Sequence, residues 1–287
     1  YNYERDLAVF ASFLSELHLP FSKVDKKAME RYKAYLTSID RRTSGHEKSE
    51  RRLRSYSVNR MLSSIRTYLR YLIEMDLPTP LPPEAVKLVK TERKHPQVAE
   101  LRELVKLIES PSELEQERRV AARNRAMLEV LFATGMRISE LVSLNRSQID
   151  DTGRVFILGK GRKQRFVYLT PRSLKHLNLY LKLRQDDLPA LFIPYRGENS
   201  GKNSRRISTN YLQMKIKRYR EAKRINVPTS AHSLRHGFAT YLAESGANPA
   251  AIQVLLGHES LETTTRYVHA SDRYAETTHH KFHPLND

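Results

Sequence analysis

Between Ala231 and His269 the chain reads AHSLRHGFATYLAESGANPAAIQVLLGHESLETTTRYVH. His232 and Arg235 stand one helical turn apart, His258 follows a glycine, and Tyr267 comes nine residues after it. A guanidinium can clamp phosphate oxygens, an imidazole can move protons near neutral pH, and a phenol can serve as a nucleophile. Upstream, Arg137 in ATGMRISEL and Lys160 in GKGRKQR would complete such a set. These residue types suit attack on a phosphodiester, the chemistry of cutting and rejoining DNA.

Each residue also has a plainer reading. Glu140 lies three residues after Arg137, on the same helical face, and could hold the guanidinium flat towards a phosphate. Taken alone, that pair reads as a surface salt bridge of little energetic value. Lys160 sits between Gly159 and Gly161 in a turn that would let it swing towards a ligand. An unperturbed lysine, with a pKa of about 10.4, can donate a proton to a leaving oxygen. Its neighbours Arg162, Lys163 and Arg165 are as readily explained as a basic turn gripping phosphates without specificity. His236 follows His232 by four residues, a spacing open to metal ligation, but no cysteine exists and Glu244 and Glu259 are poorly placed as ligands. No metal is therefore expected, and His236 is assigned to packing or capping. Tyr267 is one of 15 tyrosines, and a lone tyrosine is more often core than nucleophile. A phenol becomes useful only where cations stabilise the charge that develops on phosphate.

Elements at helical spacing must position these groups. In the first part, Leu7, Phe10, Phe13, Leu14 and Leu17 mark one helix. Met29, Tyr32, Tyr35 and Leu36 mark a second, between Lys26 and Leu36. After a polar loop at Asp40–Arg54, a long helix from Ser57 turns Val58, Met61, Leu62, Ile65, Leu69, Leu72 and Ile73 inward. Arg60, Arg66 and Arg70 lie on its opposite face, where they could grip DNA. Pro78, Pro80, Pro82 and Pro83 end it, and a short helix through Val86 and Leu88 is predicted. The polar stretch TERKHPQV reads as a linker. The predicted organisation is a helical domain over 1–90, a linker over 91–98, and a second domain over 99–287.

In that second domain, helices are expected over AELRELVKLIES, Ala121–Ala133, Ser139–Leu144, Pro171–Leu183 and Thr209–Arg224. Val155–Leu158 and Arg165–Leu169 flank GKGRKQ as a hairpin. Gly246, Asn248 with Pro249, Gly257 and Ser260 divide the opening stretch into short helices. The residues from Ser271 form a polar tail helix. The fold class is mainly α with a small β-sheet, an α+β second domain behind an all-α first one.

The 50 Lys and Arg against 32 Asp and Glu give a formal charge of +18, which draws the chain to polyanions. Lys215, Lys217, Arg218 and Arg220 extend the basic surface of the second domain. Most such contacts would meet phosphates and give salt-dependent affinity. The absence of cysteine excludes disulfides and thiolate metal sites. No apolar run approaches the ~20 residues of a membrane span, and a cytoplasmic, nucleoid-associated protein is expected. The start at Tyr1 instead of Met suggests a trimmed N-terminus, with no arm-binding segment ahead of it.

The segments ATGMRISEL, GKGRKQRFVYL, HSLRHGFATYLAESGA and LLGHESLETTTRYVH, in this order, resemble the tyrosine recombinase family, above all its Xer-type members. The resemblance covers Ala133–His269, and the helical first domain is similar to the family's core-binding, SAM-like domain. It implies that Arg137, Lys160, His232, Arg235 and His258 activate the phosphate, that Tyr267 is the nucleophile, and that two domains clamp duplex DNA. It implies strand exchange through a 3′-phosphotyrosyl link and a Holliday junction, without cofactor. Four protomers, alike or of two kinds, would act on two specific sites, and a regulatory protein partner is compatible with this. Two other readings share the fold: a type IB-like topoisomerase, and a DNA-binding regulator without cutting activity.

Overall fold

The computed structural model describes residues 2–38, 52–91, 99–158, 164–196 and 205–257. The chain divides into two compact units, Tyr1–His95 and Pro96–Asp287.

The first unit contains α1 (Asn2–Glu16), α2 (Lys26–Thr37) and α3 (Ser55–Glu74). Asp25 caps α2 by accepting the Ala28 N–H at 2.7 Å, which satisfies one orphan donor of the first turn. Val58, Met61, Leu62, Ile65 and Leu69 of α3 are buried with Phe10, Phe13, Met29, Tyr32 and Leu36. The rings of Phe10 and Tyr32 meet edge to face, 4.7 Å between centroids. Two positions expected to point inward do not. Ile73 and Leu17 are exposed, because the last turn of α3 runs past the core cluster and Leu17 follows the end of α1. The proline-rich stretch forms only a 3-10 turn, Pro83–Ala85, where a short helix was predicted. Each proline removes a donor that a longer helix would need. Val86 is buried there, and Leu88 faces solvent.

The second unit contains α4 (Leu101–Glu109), α5 (Pro111–Leu114), α6 (Arg118–Thr134), α7 (Ile138–Ser143), β1 (Arg154–Leu158), β2 (Gln164–Tyr168), α8 (Pro171–Lys182), α9 (Thr209–Ala222), α10 (Ala231–Glu244) and α11 (Pro249–Leu256). The result is mainly α with one small antiparallel sheet, as the sequence indicates. Strand β1 begins one residue earlier than expected and β2 lies one residue earlier, with Arg154 opposite Tyr168 and Leu158 opposite Gln164. Val155, Ile157 and Val167 fill the inward face by the two-residue alternation of a strand.

Helix α6 is the axis of this unit. Ala126, Met127, Leu128, Val130 and Leu131 are buried on successive sides, the pattern of a helix enclosed all round. It also buries Arg125 and Glu129, joined at 2.8 Å. Arg172 of α8 reaches Glu129 at 2.9 Å and Glu109 of α4 at 3.0 Å. Gly135 ends α6 in the left-handed region at φ +61°, with the ring of Phe238 so near that an added Cβ would lie 2.3 Å from it. Only glycine fits there, for both backbone and packing reasons.

Candidate active site

Ser230 starts α10 by accepting the Ser233 N–H at 3.2 Å, and this places His232 and Arg235 in the first turns. Arg235 is 4% exposed. One end of its guanidinium donates to Gly135 O and the other to Leu256 O, each at 2.7 Å. It therefore ties α10 to the end of α6 and the end of α11. Arg137, two residues past Gly135, rides on the same junction. Its N–H donates to Glu140 Oε2 at 2.7 Å and its guanidinium to Glu140 Oε1 at 3.1 Å. The Arg137 side chain keeps 42% of its surface exposed, whereas Glu140 keeps 7%. The carboxylate is thus inside and the guanidinium faces out.

His232 is exposed at the mouth of this junction. Partial desolvation, and then the charges of Arg235 and Arg137, hold its pKa below the ordinary histidine value. Its ring is neutral at neutral pH and free to accept a proton. His236, assigned to packing or capping from the sequence, instead places its Nε2 2.8 Å from Nε2 of His232. The two rings meet edge to face at 4.3 Å. One ring nitrogen of such a contact donates and the other accepts, so the tautomers of His232 and His236 are coupled. No cluster of three or more potential metal ligands occurs among the described residues.

Glu140 has a second cationic partner that sequence reasoning passed over as one of several basic neighbours of Lys160. Arg165 of β2 binds it in bidentate fashion, Nη1 to Oε1 at 3.0 Å and Nη2 to Oε2 at 2.7 Å. Burial pulls the Glu140 carboxyl upward, but the hydrogen bonds from Arg165 and the Arg137 N–H, with both positive charges, hold it below the usual glutamate value. The pairing spans two elements far apart in the chain, and no local pattern announces it.

Asn248 caps α11 through Ala250 N at 2.8 Å, and Gly257 closes it at φ +64°. Lys160, Arg162, Lys163, His258 and Tyr267 lie outside the described residues, as do Ser260 and the tail from Ser271.

The proposed DNA-gripping cations fall into two groups. Arg70, Lys217 and Arg218 are exposed. Arg60 is paired with the buried Asp6, Arg66 donates from Nε to Val86 O at 2.6 Å, and Lys215 reaches Glu115 at 2.6 Å. Arg220 is only partly exposed, beside Glu221 at 3.8 Å. Lys215 lines a groove of about 590 Å³ with Arg206, Arg218, Tyr195 and Tyr211. In its wall Arg123 lies between two rings, 5.2 Å from the centroid of Tyr195 and 4.9 Å from that of Tyr211. Arg123 and Arg206 were not singled out from the sequence, because nothing local distinguishes them from other arginines.

The model of the phage integrase family matches residues 97–273, and that of the phage integrase SAM-like domain matches residues 1–81. The chain belongs to the phage integrase family. Tyrosine recombinase XerD of Staphylococcus epidermidis is 30% identical over 98% of this chain and 91% of its own length. Tyrosine recombinase XerC of Pelobacter propionicus is 33% identical over 98% of this chain and 88% of its own. Among solved structures, XerH site-specific recombinase bound to a palindromic difH substrate, in a post-cleavage complex, shares the fold. Its TM-score is 0.74 at 22% identity, over 97% of this chain and 78% of that one. The resemblance drawn from the motifs is therefore correct. This member of the family is a site-specific tyrosine recombinase, an enzyme of DNA strand breakage and rejoining. The topoisomerase and regulator readings gain no support from these relatives.

Proposed function

We propose that the enzyme exchanges strands between two specific duplex sites in the manner of the Xer recombinases, with Tyr267 as nucleophile. The observation that carries this reading is the junction at the start of α10. There Arg137, His232 and Arg235 come together, both guanidiniums anchored by main-chain or carboxylate partners and the imidazole kept neutral. The two guanidiniums brace the non-bridging oxygens of the scissile phosphate, a bidentate task that lysine cannot copy. The Tyr267 phenol attacks phosphorus in line as His232 or His258 takes its proton. The bond from phosphorus to the 5′-oxygen breaks, and Lys160 gives that oxygen a proton. The 3′-phosphotyrosyl link conserves the energy of the broken bond. The 5′-hydroxyl of the partner strand then attacks the link, the tyrosine leaves, and its proton returns by the same route. Two rounds through a Holliday junction complete the exchange.

In this reading, four protomers of one or two kinds assemble on two sites, with the two domains clamped on each duplex. The tail from Ser271 docks on a neighbour, and a further protein regulates the order of cleavage. The exposed Arg70, Lys217 and Arg218 hold phosphates. Lys215, Arg60, Arg66 and Arg220 contribute after exchanging their present partners, beside Arg162 and Lys163. The work is that of chromosome dimer resolution or of mobile-element integration and excision, in the cytoplasm at the nucleoid. No helix among the described residues is long and apolar enough to cross a membrane.

A nicked suicide duplex carrying the recombination site tests the core of this. The wild-type protein becomes covalently attached to DNA and Tyr267→Phe does not. Attachment by both, or by neither, removes Tyr267 from the role. Unchanged attachment in EDTA is expected, and its loss would overturn the metal-free mechanism.

A further inference from the structure

Helix α11 is short, and its last carbonyls have no partner within the helix. Two arginines from other elements take them. Arg235 donates to Leu256 O, and Arg165 donates from Nε to Leu255 O at 3.0 Å. The same Arg165 uses its two Nη groups on Glu140, which holds Arg137. Its side chain keeps 8% of its surface exposed. A single guanidinium therefore spans three elements. It grows from β2, five residues after Lys160 in the sequence, it grips the carboxylate that holds Arg137, and it fixes the C-terminal end of α11.

The glycine at that end fits the same account. A Cβ on Gly257 would lie 3.0 Å from Cδ of Arg165, 3.1 Å from Nη1 and 3.2 Å from Nε. The Arg165 side chain lies close against the backbone at the point where α11 stops. An arginine serving only to neutralise a buried carboxylate would need neither the bond to Leu255 nor this close approach. Lysine could supply the charge but not three directed N–H groups in one plane.

We propose that Arg165 is a positioning residue of the recombinase. It sets the C-terminal end of α11 in register with Arg137, without itself touching the phosphate. This rests on the reading that Arg137, His258 and Tyr267 act together. All four lone-pair directions of Glu140 are occupied, two by Arg137 groups and two by Arg165. Loosening Arg165 therefore loosens Arg137 and the end of α11 together. A misplacement of about 1 Å in such a constellation can lower a rate by ~100-fold.

The test measures, on the intact protein, the Kd for the duplex site, the single-turnover rate of covalent attachment to the suicide duplex, and the melting temperature. Arg165→Lys is expected to keep Kd within about twofold and to slow attachment by ~100-fold. Gly257→Ala pushes on the same guanidinium from the other side and is expected to show the same split. Arg165→Lys combined with Glu140→Gln should slow attachment by less than the product of the two single effects, since both break one unit. Three results would overturn the proposal: wild-type attachment by Arg165→Lys in a folded protein, a loss of Kd as large as the loss of rate, and multiplicative single effects. If Arg165→Lys does not fold, Gly257→Ala decides by the same split. If neither folds, Arg165 is a residue of folding and the positioning role is refuted. Failure of wild type to attach, or attachment by Tyr267→Phe, refutes the mechanism and not the role of Arg165.

Discussion

Around α3 the first unit packs rings and aliphatic chains, and Asp6 and Ser64 are its buried polar side chains among the described residues. Around α6 the second unit buries Arg123, Asn124, Arg125 and Glu129, and further out Glu140, Arg184 and Arg235. Both units are well-packed helical cores, so the difference is not one of compactness. Apolar packing tolerates repacking when volume is kept. A buried ion has far less freedom, because losing its partner leaves an uncompensated charge. In the proposed reading the first unit needs only to present a basic surface to DNA. The second has to hold particular guanidiniums at particular points, and directed bonds do that where oily contacts cannot.

This contrast can be broken at its strongest point. Glu129→Ala removes the buried one of the two carboxylates, Glu129 and Glu109, that Arg125 and Arg172 share and should destabilise the second unit by about 3 kcal/mol, read as a shift of its denaturant midpoint. A change below about 1 kcal/mol would show that the ionic network is not what holds α6 to α8. In the first unit, Leu62→Ala empties a fully buried position. It should destabilise that unit by about 3 kcal/mol, and refilling with Met should recover most of the loss.

Acid should separate the units next. Glu140 and Glu115 in the second unit both have pKa values held below their ordinary 4.5. For Glu115, burial works upward and the bonds from Lys215 and Tyr219 outweigh it. A depressed carboxyl contributes stability that is present above its unfolded pKa and lost as pH falls through the folded one. Melting of the second unit should therefore weaken as pH drops below 4.5, and Glu140→Gln should flatten that dependence. A slope unchanged by Glu140→Gln would remove Glu140 from the account.

The smallest effects concern the helix caps. Asp25→Ala and Ser230→Ala each delete one capping bond, worth about 1 kcal/mol. The first should lower only the stability of its unit. The second should also slow covalent attachment to the suicide duplex, since α10 carries His232 and Arg235. Equal effects on attachment would erase the functional distinction between the units.

What was readable in the sequence follows the same division. Helices α2, α3, α6, α8 and α9 are legible from periodicity, and the ends of α6 and α11 from Gly135 and Gly257. The Arg137–Glu140 pair is legible because both residues share one helical turn. The bonds that hold the site together are not. Arg165 meets Glu140 across 25 residues, and Arg235 meets Gly135 across 100. Asp6 and Arg60 are likewise brought together only by folding. A cation committed to a protein partner has the same local signature as one facing solvent, so the sequence does not separate Arg60, Arg66 and Lys215 from Arg70. His236 was visible at the right spacing, but its role depends on a rotamer, which no spacing specifies.

The two oxygens that receive Arg235 share a property beyond their distance. Gly135 O lies at the C-terminus of α6 and Leu256 O at the C-terminus of α11. Each helix end carries a partial negative charge of roughly half an electron. Two such ends converging on one guanidinium amount to about one full counter-charge, spread over peptide dipoles. Dipoles of this kind cannot be protonated and do not dissociate in salt. The electrostatic support of Arg235 is therefore built from the direction in which two helices run, and it stays constant under conditions that would silence a carboxylate.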